Sequence, residues 1–267
     1  MDSPVNYLEL NRQAWNNQTD VHMSSDFYDM PGFLAGNTSL KEIELRLLGD
    51  VKGKSVLHLQ CHFGQDTVSL ARMGALVMGI DLSDKAIERA KELALQTQTD
   101  ASFIACDIYD LPQHLDKQFD IVFTSYGTIG WLPDMDKWAG IVSKYLAPGG
   151  KFVFVEFHPL VWMLDEDFKY IKYDYFNTVP IIETESGTYA DRDAPLSKTT
   201  VSWNHDLGEV LGSLIKCGLE LRSFDEHDYS PYNCFRDMEA VEPGKYRIGH
   251  LDKKIPMVYA LTATKRQ

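Results

Sequence analysis

The chain has 267 residues, 44% of them hydrophobic and 24% charged, a composition that is typical of a globular protein and excludes an intrinsically disordered one. Asp and Glu number 39 against 26 Lys and Arg, which gives a net charge of −13. Nucleic acid is therefore not expected as a partner, because its phosphates are bound by Lys and Arg. No apolar run approaches the roughly 20 residues of a membrane span and no signal peptide is visible, so we expect no membrane partner. Four widely spaced cysteines fit reduced thiols and a cytoplasmic location.

Short apolar runs alternate with amphipathic segments along most of the chain. Because predicted strands alternate with predicted helices, we expect right-handed crossovers and an α/β fold with a mostly parallel seven-stranded sheet, covered by helices on both faces. The predicted strands are 55–60, 76–81, 102–107, 119–126, 151–157, 219–224 and 257–264. The predicted helices cover 66–73, the segment after the N-cap residue Ser83, 138–145 (ended by Pro148-Gly149-Gly150) and 207–215.

The domain organisation is predicted as one unit, residues 1–267. Its parts are an N-terminal helical cap with one or two helices (1–50), a ligand-binding core (51–157), an insertion (158–204) and the C-terminal part of the sheet (205–267). The insertion has six aromatic residues between Trp162 and Phe176 and no clear amphipathic helix. We interpret it as a lid or a small antiparallel β element; the alternative is that its rings only cover the sheet edge.

Polar residues follow the first four predicted strands. In an open α/β sheet, ligands bind at the carboxyl ends of the strands, near the point where strand order reverses. The first strand is followed by Gln60–Gly64, the second ends in Asp81, the third in Asp107, and Tyr126 ends the fourth. The two oxygens of a carboxylate at the Asp81 position suit the two hydroxyls of a ribose. Alternatively, each Asp only caps the turn that follows its strand.

From about residue 55 to residue 157 the sequence resembles the class I S-adenosylmethionine-dependent methyltransferases of the small-molecule type. The matching landmarks are Asp81-Leu82-Ser83, Asp107-Ile108, Phe119-Asp120-Ile121-Val122 and Leu146-Ala147-Pro148-Gly149-Gly150. The resemblance implies a Rossmann-like, doubly wound fold, S-adenosylmethionine as cofactor and methyl transfer to a small-molecule acceptor. The cofactor-binding residues are then expected to be Gln60, Cys61, His62, Gly64, Asp81, Leu82, Asp107, Ile108 and Tyr126.

The first turn departs from the family pattern. His58 stands where the family has an acidic residue, and Gln60 and His62 stand where it has glycines, while Gly64 remains. Glycine lets the backbone approach a ligand closely, whereas Gln60 and His62 add bulk together with donors for the carboxylate of the cofactor's methionine part. Asp107 is placed to accept from the exocyclic amine of adenine, with Leu82 and Ile108 packing on the ring.

Three alternative functions are weighed against this one. A nicotinamide-dependent oxidoreductase needs further glycines after the first strand, and only Gly64 is present. A binding protein that holds the cofactor without catalysis is motivated by the altered turn. A metal site at His58, Cys61 and His62 would need a further ligand cluster that the sequence does not supply, so no metal is expected.

Candidates for acceptor chemistry lie at strand ends and in the flanks. A general base is needed only when the nucleophile must lose a proton, and His158 and Tyr126 are the candidates. His158 could instead shape its loop with Pro159. Tyr28, Tyr173, Tyr232 and Asn233 are predicted to line an acceptor pocket; their alternative is loop packing. We expect a small, neutral or cationic, partly planar acceptor and a monomer or homodimer.

Overall fold

The structure, a computed structural model, describes residues 6–266, and its centre is a seven-stranded sheet. The strands are β1 (Ser55–Leu59), β2 (Leu76–Asp81), β3 (Ala101–Ala105), β4 (Phe119–Ser125), β5 (Leu146–Phe157), β6 (Ile181–Ser186), β7 (Ser197–Ser202), β8 (Leu219–His227), β9 (Met238–Glu242), β10 (Lys245–Ile248) and β11 (Val258–Lys265). The sheet order is β3-β2-β1-β4-β5-β11-β8, and β11 runs antiparallel to the other six strands. This confirms the predicted doubly wound, mostly parallel sheet.

Helices cover both faces of this sheet, as predicted. They are α1 (Tyr7–Ser24), α2 (Met30–Leu34), α3 (Glu42–Leu48), α4 (Gln65–Arg72), α5 (Asp84–Gln96), α6 (Leu111–His114), α7 (Met135–Tyr145), α8 (Pro159–Met163) and α9 (Leu207–Lys216). Because side chains alternate along a strand, Phe152 and Phe154 of β5 pack with α7 and α9, whereas Val153 and Val155 pack with α3 on the opposite face. The sheet therefore has a separate apolar core on each side.

The strand order reverses between β1 and β4, which opens a cleft at the carboxyl ends of these two strands. The turn after β1 enters α4 at Gly64, whose φ is +82°. A Cβ atom at Gly64 would lie 2.9 Å from the side chains of Ala90 and Phe103, so this position requires glycine. The close contact fixes the start of α4 beside β3 and brings the turn into the cleft.

Several element boundaries differ from the predictions. The N-terminal cap contains three α-helices within residues 7–48 instead of one or two. Helix α7 already ends at Tyr145, so Pro148–Gly150 lies inside β5, where a register shift opposite Phe119–Ile121 accommodates the extra residues. The hairpin of β9 and β10 was not predicted.

The insertion of residues 158–204 contains α8 and the antiparallel hairpin β6–β7, in agreement with the predicted small β element. Helix α1 packs against this hairpin through the buried side chain of Asn11. The Nδ2 of Asn11 donates to the carbonyl of Val201 at 2.8 Å, and its Oδ1 accepts from the Val201 N–H at 2.9 Å. Tyr170 and Phe176 are 64% and 75% exposed, so these two rings do not cover the sheet edge.

Candidate functional site

A cavity of about 1190 Å³ opens at the carboxyl ends of β1 to β4. Its walls also include residues of α1, the hairpin β6–β7 and the loop between β8 and β9. Twelve of the fourteen residues predicted for the site line this cavity: Gln60, Cys61, His62, Gly64, Asp81, Leu82, Asp107, Ile108, Tyr126, Tyr28, Tyr173 and Tyr232. Gln60–Gly64, Asp81 and Asp107 form one side, called here the strand-end wall.

The turn after β1 is held in a conformation that L residues rarely adopt. Gln60 and His62 have φ values of 56° and 51°, a backbone cost of about 1–3 kcal/mol each that the surrounding contacts must offset. Gln60 Nε2 donates to the carbonyl of Thr128 at 2.7 Å. Gln60 Oε1 and His62 Nδ1 are buried and have no hydrogen-bond partner within residues 6–266. Buried polar atoms are normally paired, so these two atoms indicate a place for a polar ligand.

His62 forms a pair with His22 of helix α1. Its Nε2 lies 2.9 Å from His22 Nδ1, and burial lowers the pKa of His22 to about 2 and that of His62 to about 3. Both rings are therefore neutral at ordinary pH. If His22 Nδ1 donates to His62 Nε2, the hydrogen of His62 is on Nδ1, the atom without a partner.

The two carboxylates of the strand-end wall are anchored by nearby backbone. Asp81 accepts from Ser83 N–H and from His62 N–H, both at 2.8 Å, and burial raises its pKa to about 6. Asp107 accepts from Tyr109 N–H at 3.1 Å, and burial raises its pKa as well. Both Asp residues thus cap the turns after their strands, and each carboxylate keeps lone pairs for hydroxyl or amine donors.

The turn after β4 is held by Glu156, a buried residue of β5. Its carboxylate accepts from the N–H groups of Gly127, of Thr128 at 2.7 Å and of Ile129 at 3.2 Å. Charge-assisted bonds of this kind fix a loop firmly. Glu156 therefore has a structural role, which places Tyr126 and the residues after it in the cavity wall.

Tyr126 itself has a φ of 43°, and its hydroxyl donates to Glu44 Oε2 at 2.8 Å. Glu44, on α3, is fully buried; burial, followed by the charge of Asp66, raises its pKa to about 7. Sequence reasoning missed Glu44. The signal was its place on α3 between Ile43 and Leu47, on the side of the helix whose other residues are apolar.

Aromatic rings form a second part of the cavity wall, called here the tyrosine wall: Phe27, Tyr28, Tyr126, Tyr189 and Tyr232. Tyr232 stacks on Phe27 with centroids 5.6 Å apart and meets the edge of Tyr126 at 5.1 Å. The hydroxyls of Tyr28 and Tyr189 contact each other. Tyr173 lines a separate part of the cavity, where its hydroxyl donates to Glu183.

Two predicted residues do not reach the cavity. His158 is buried; its Nδ1 accepts from Leu160 N–H at 3.1 Å and caps α8, while its Nε2 lies 3.0 Å from Glu226 of β8. These contacts favour the loop-shaping alternative over the predicted role of His158 as a general base. Asn233 is exposed and does not line the cavity, so its position does not support the acceptor role predicted for it.

The residues considered for a metal site are placed separately. His58 Nδ1 lies 2.8 Å from Thr67 Oγ1, and its ring stacks on Phe123. In the described part of the chain, no three His, Cys, Asp or Glu side chains are grouped in a way that could hold a metal ion.

Comparison with known proteins identifies the family. Residues 50–211, more than half of the chain, match the family model described as a methyltransferase domain. The chain belongs to this methyltransferase family. An uncharacterized methyltransferase of Synechocystis is 35% identical over 132 residues, which are 49% of this chain and 60% of that protein. A ubiquinone biosynthesis O-methyltransferase of Coxiella burnetii is 33% identical over 124 residues, 46% of this chain and 51% of the relative. The chain thus spans about half to three fifths of the length of these curated relatives.

Solved structures of methyltransferases share the fold. An S-adenosylmethionine-dependent methyltransferase from Clostridium acetobutylicum gives a TM-score of 0.58 at 15% identity, covering 96% of this chain and 99% of that one. One from Mesorhizobium loti gives 0.55 at 20% identity, covering 87% and 100%. The likeness confirms the Rossmann-like methyltransferase fold. None of the helices within residues 6–266 has both the length and the apolar character that crossing a membrane requires.

Proposed function

We propose that this methyltransferase-family protein transfers a methyl group from S-adenosylmethionine to a small-molecule acceptor. The observation that carries the proposal is the single cavity that joins the strand-end wall to the tyrosine wall. Ligand pockets usually measure about 300–1,000 Å³, so a volume of about 1190 Å³ has room for a cofactor together with an acceptor.

The strand-end wall supplies groups that suit the cofactor. In this proposal Asp81 accepts from the ribose hydroxyls, and Asp107 accepts from the adenine amine between Leu82 and Ile108. The unpartnered Gln60 Oε1 and His62 Nδ1 support a polar ligand at the turn. We propose that His62 Nδ1–H and the amide N–H of Gln60 donate to the methionine carboxylate. For this, Gln60 would give up its hydrogen bond to the carbonyl of Thr128. When bound, the cofactor supplies a methyl group that is activated by a sulfonium.

The chain's own contribution is orientation and exclusion of water. Methyl transfer is an in-line displacement, so its rate depends on holding the acceptor in line with the methyl group. The rings of the tyrosine wall exclude water without adding formal charge, which favours the loss of the sulfonium charge during the reaction. Acidic groups at the cavity, among them Asp66, and the net charge of −13 favour a neutral or cationic acceptor.

Calorimetry with S-adenosylmethionine tests the cofactor. We expect a dissociation constant in the micromolar range or below, about −8 kcal/mol or stronger. Heat with NADH and none with S-adenosylmethionine would reject the proposal in favour of an oxidoreductase. Binding without conversion to S-adenosylhomocysteine by any acceptor would favour the non-catalytic binding protein.

The acceptor itself is to be identified by native mass spectrometry of the purified protein with its co-purifying small molecules. Tight, salt-sensitive binding of RNA would contradict a small-molecule acceptor. The O-methyltransferase relative supports a hydroxyl acceptor. Three further properties stay predictions: a single domain, a cytoplasmic location and a monomeric or homodimeric state. Size-exclusion chromatography with light scattering tests the oligomeric state.

A further inference from the structure

Glu44 is a buried carboxylate that the cofactor site does not explain. Its Oε1 accepts from Lys41 N–H at 3.2 Å, which is the capping contact expected of the third helical residue. Capping alone needs no burial, and Glu44 is fully buried, with no Lys or Arg in an ion pair with it in the part of the chain described here. Its second oxygen accepts from the hydroxyl of Tyr126 at 2.8 Å. An unpaired buried charge is costly, so a further role is indicated.

Tyr126 connects this carboxylate to the cavity. It follows β4 directly, where the strand order of the sheet reverses. Its strained φ of 43° is held by the bond from its N–H to the carbonyl of Val155, at 2.7 Å. A tyrosine hydroxyl that donates to a carboxylate keeps its oxygen free to accept a hydrogen bond from another hydroxyl. Tyr126 therefore offers the cavity an acceptor that is backed by Glu44.

We propose that the methyl acceptor is a hydroxyl compound and that Glu44 takes up its proton through the hydroxyl of Tyr126. This inference rests on the proposed function. The acceptor's proton passes to Tyr126 Oη while the proton of Tyr126 passes to Glu44 Oε2. The acceptor oxygen forms a bond to the methyl carbon, the carbon–sulfur bond breaks, and its electron pair stays on sulfur. The positive charge on sulfur and the negative charge on Glu44 disappear together, so the step creates no new charge in a site of low dielectric.

The surroundings of Glu44 suit a group that gains and loses a proton near neutral pH. Burial raises its pKa to about 7, and the charge of Asp66 on α4 acts in the same direction. Lys41 places its Nζ 4.7 Å from the centre of the Tyr232 ring. Burial lowers the pKa of His58 to about 4, so this ring adds no positive charge next to Asp66. A base with such a pKa is matched to the pH at which it works.

Infrared difference spectroscopy of the S-adenosylhomocysteine complex tests the proton acceptor without any acceptor molecule. We expect a carboxyl group that titrates near neutrality, within a scan from about pH 5 to about pH 9, and whose signal is missing in Glu44→Gln. The same substitution at the exposed Glu42 on α3 is the matched control and keeps the signal. A spectrum that is unchanged by Glu44→Gln would overturn the proposal.

Turnover with catechol as a probe tests the pathway of the proton. We expect Glu44→Gln and Tyr126→Phe to lower kcat at least about 100-fold. Glu44→Gln should leave the affinity for S-adenosylmethionine unchanged. Glu44→Gln should also abolish the fall of kcat below neutral pH, whereas Glu42→Gln behaves as wild type. If the role of Glu44 is only structural, Glu44→Gln will lower the melting temperature and leave kcat and its pH profile unchanged.

The same assays separate the two levels of the proposal. If S-adenosylmethionine binds and benzylamine is methylated but catechol is not, the hydroxyl inference is wrong and the methyltransferase proposal stands. If S-adenosylmethionine does not bind to the wild-type protein, the proposed function itself is wrong.

Discussion

The strand-end wall and the tyrosine wall of the same cavity are built in different ways. In the strand-end wall, Asp81 and Asp107 are fixed by N–H groups two residues further along the chain. In the tyrosine wall, Tyr28 contacts Tyr189 across 161 residues, and Tyr126 reaches Glu44 across 82. The two carboxylates of the first wall are thus held in part by local contacts at the strand ends, although Gln60 also reaches Thr128 across 68 residues. The second wall exists only when distant segments are packed together.

The strand-end wall and the tyrosine wall are connected through the pair His22 and His62. The largest effect we expect is a loss of unfolding free energy at acidic pH, where these two histidines become protonated. His22 and His62 have pKa values of about 2 and about 3 in the fold, against an ordinary value of about 6.5. Below about pH 6.5 the unfolded chain binds protons that the folded chain does not, so stability is full above that pH and falls toward pH 3. The loss is about 1.4 kcal/mol per pH unit for each histidine, measurable by urea unfolding at several pH values.

His22→Phe keeps a ring at this place and removes one titrating group. Its unfolding free energy should therefore depend less steeply on pH, by about one proton. His114→Phe, at an exposed position, is the control and should keep the wild-type slope. Equal slopes in His22→Phe and wild type would contradict the assignment.

Asp81→Ala should damage the strand-end wall alone. We expect S-adenosylmethionine to bind about 1–3 kcal/mol more weakly, because the ribose hydroxyls lose their acceptor and the N–H groups of His62 and Ser83 lose theirs. Calorimetry measures the change, and Asp100→Ala, at an exposed position at the foot of β3, is the control. Undiminished affinity in Asp81→Ala would remove Asp81 from the site.

Asn11→Ala tests how the segments around the tyrosine wall are held. The substitution leaves the N–H and the carbonyl of Val201 without partners in a buried place, which should cost about 1–3 kcal/mol of unfolding free energy. Chemical denaturation gives the value, and Asn17→Ala, on the exposed face of α1, should stay within about 0.5 kcal/mol of wild type. A similar loss of unfolding free energy in both variants would show that the hydrogen bonds between Asn11 and Val201 contribute little to stability.

The proposed acceptor side of the cavity is tested by three substitutions, Tyr28→Ala, Tyr173→Ala and Tyr232→Ala. We expect kcat/KM to fall about tenfold, about 1.4 kcal/mol, because the acceptor is less well positioned. Affinity for S-adenosylmethionine should survive in Tyr173→Ala and Tyr232→Ala, because neither residue is assigned to the cofactor. If all three lower the melting temperature and leave kinetics normal, these tyrosines are packing residues.

The strand-end wall could be predicted from the sequence because its signals are local. Asp81 and Asp107 end apolar runs, and such runs indicate strands whose carboxyl ends meet at one edge. The place of Glu44 on the apolar side of α3 was the only local signal, and its contact with Tyr126, 82 residues further along the chain, could not be predicted. The orientation of His158 could not be predicted either. A position after a strand does not say whether the side chain enters the cleft or, as here, lies next to Glu226 and caps the next helix.

The bond between Asn11 and Val201 has a consequence for association between molecules. Strand β7 pairs with β6 on one side, and within residues 6–266 no strand lies along its other edge. An exposed strand edge is a template on which another chain can add a strand, which leads to aggregation. The amide of Asn11 imitates the peptide group of such a strand and occupies both the N–H and the carbonyl of Val201. One side chain of the N-terminal helix thus protects the hairpin from edge-to-edge pairing.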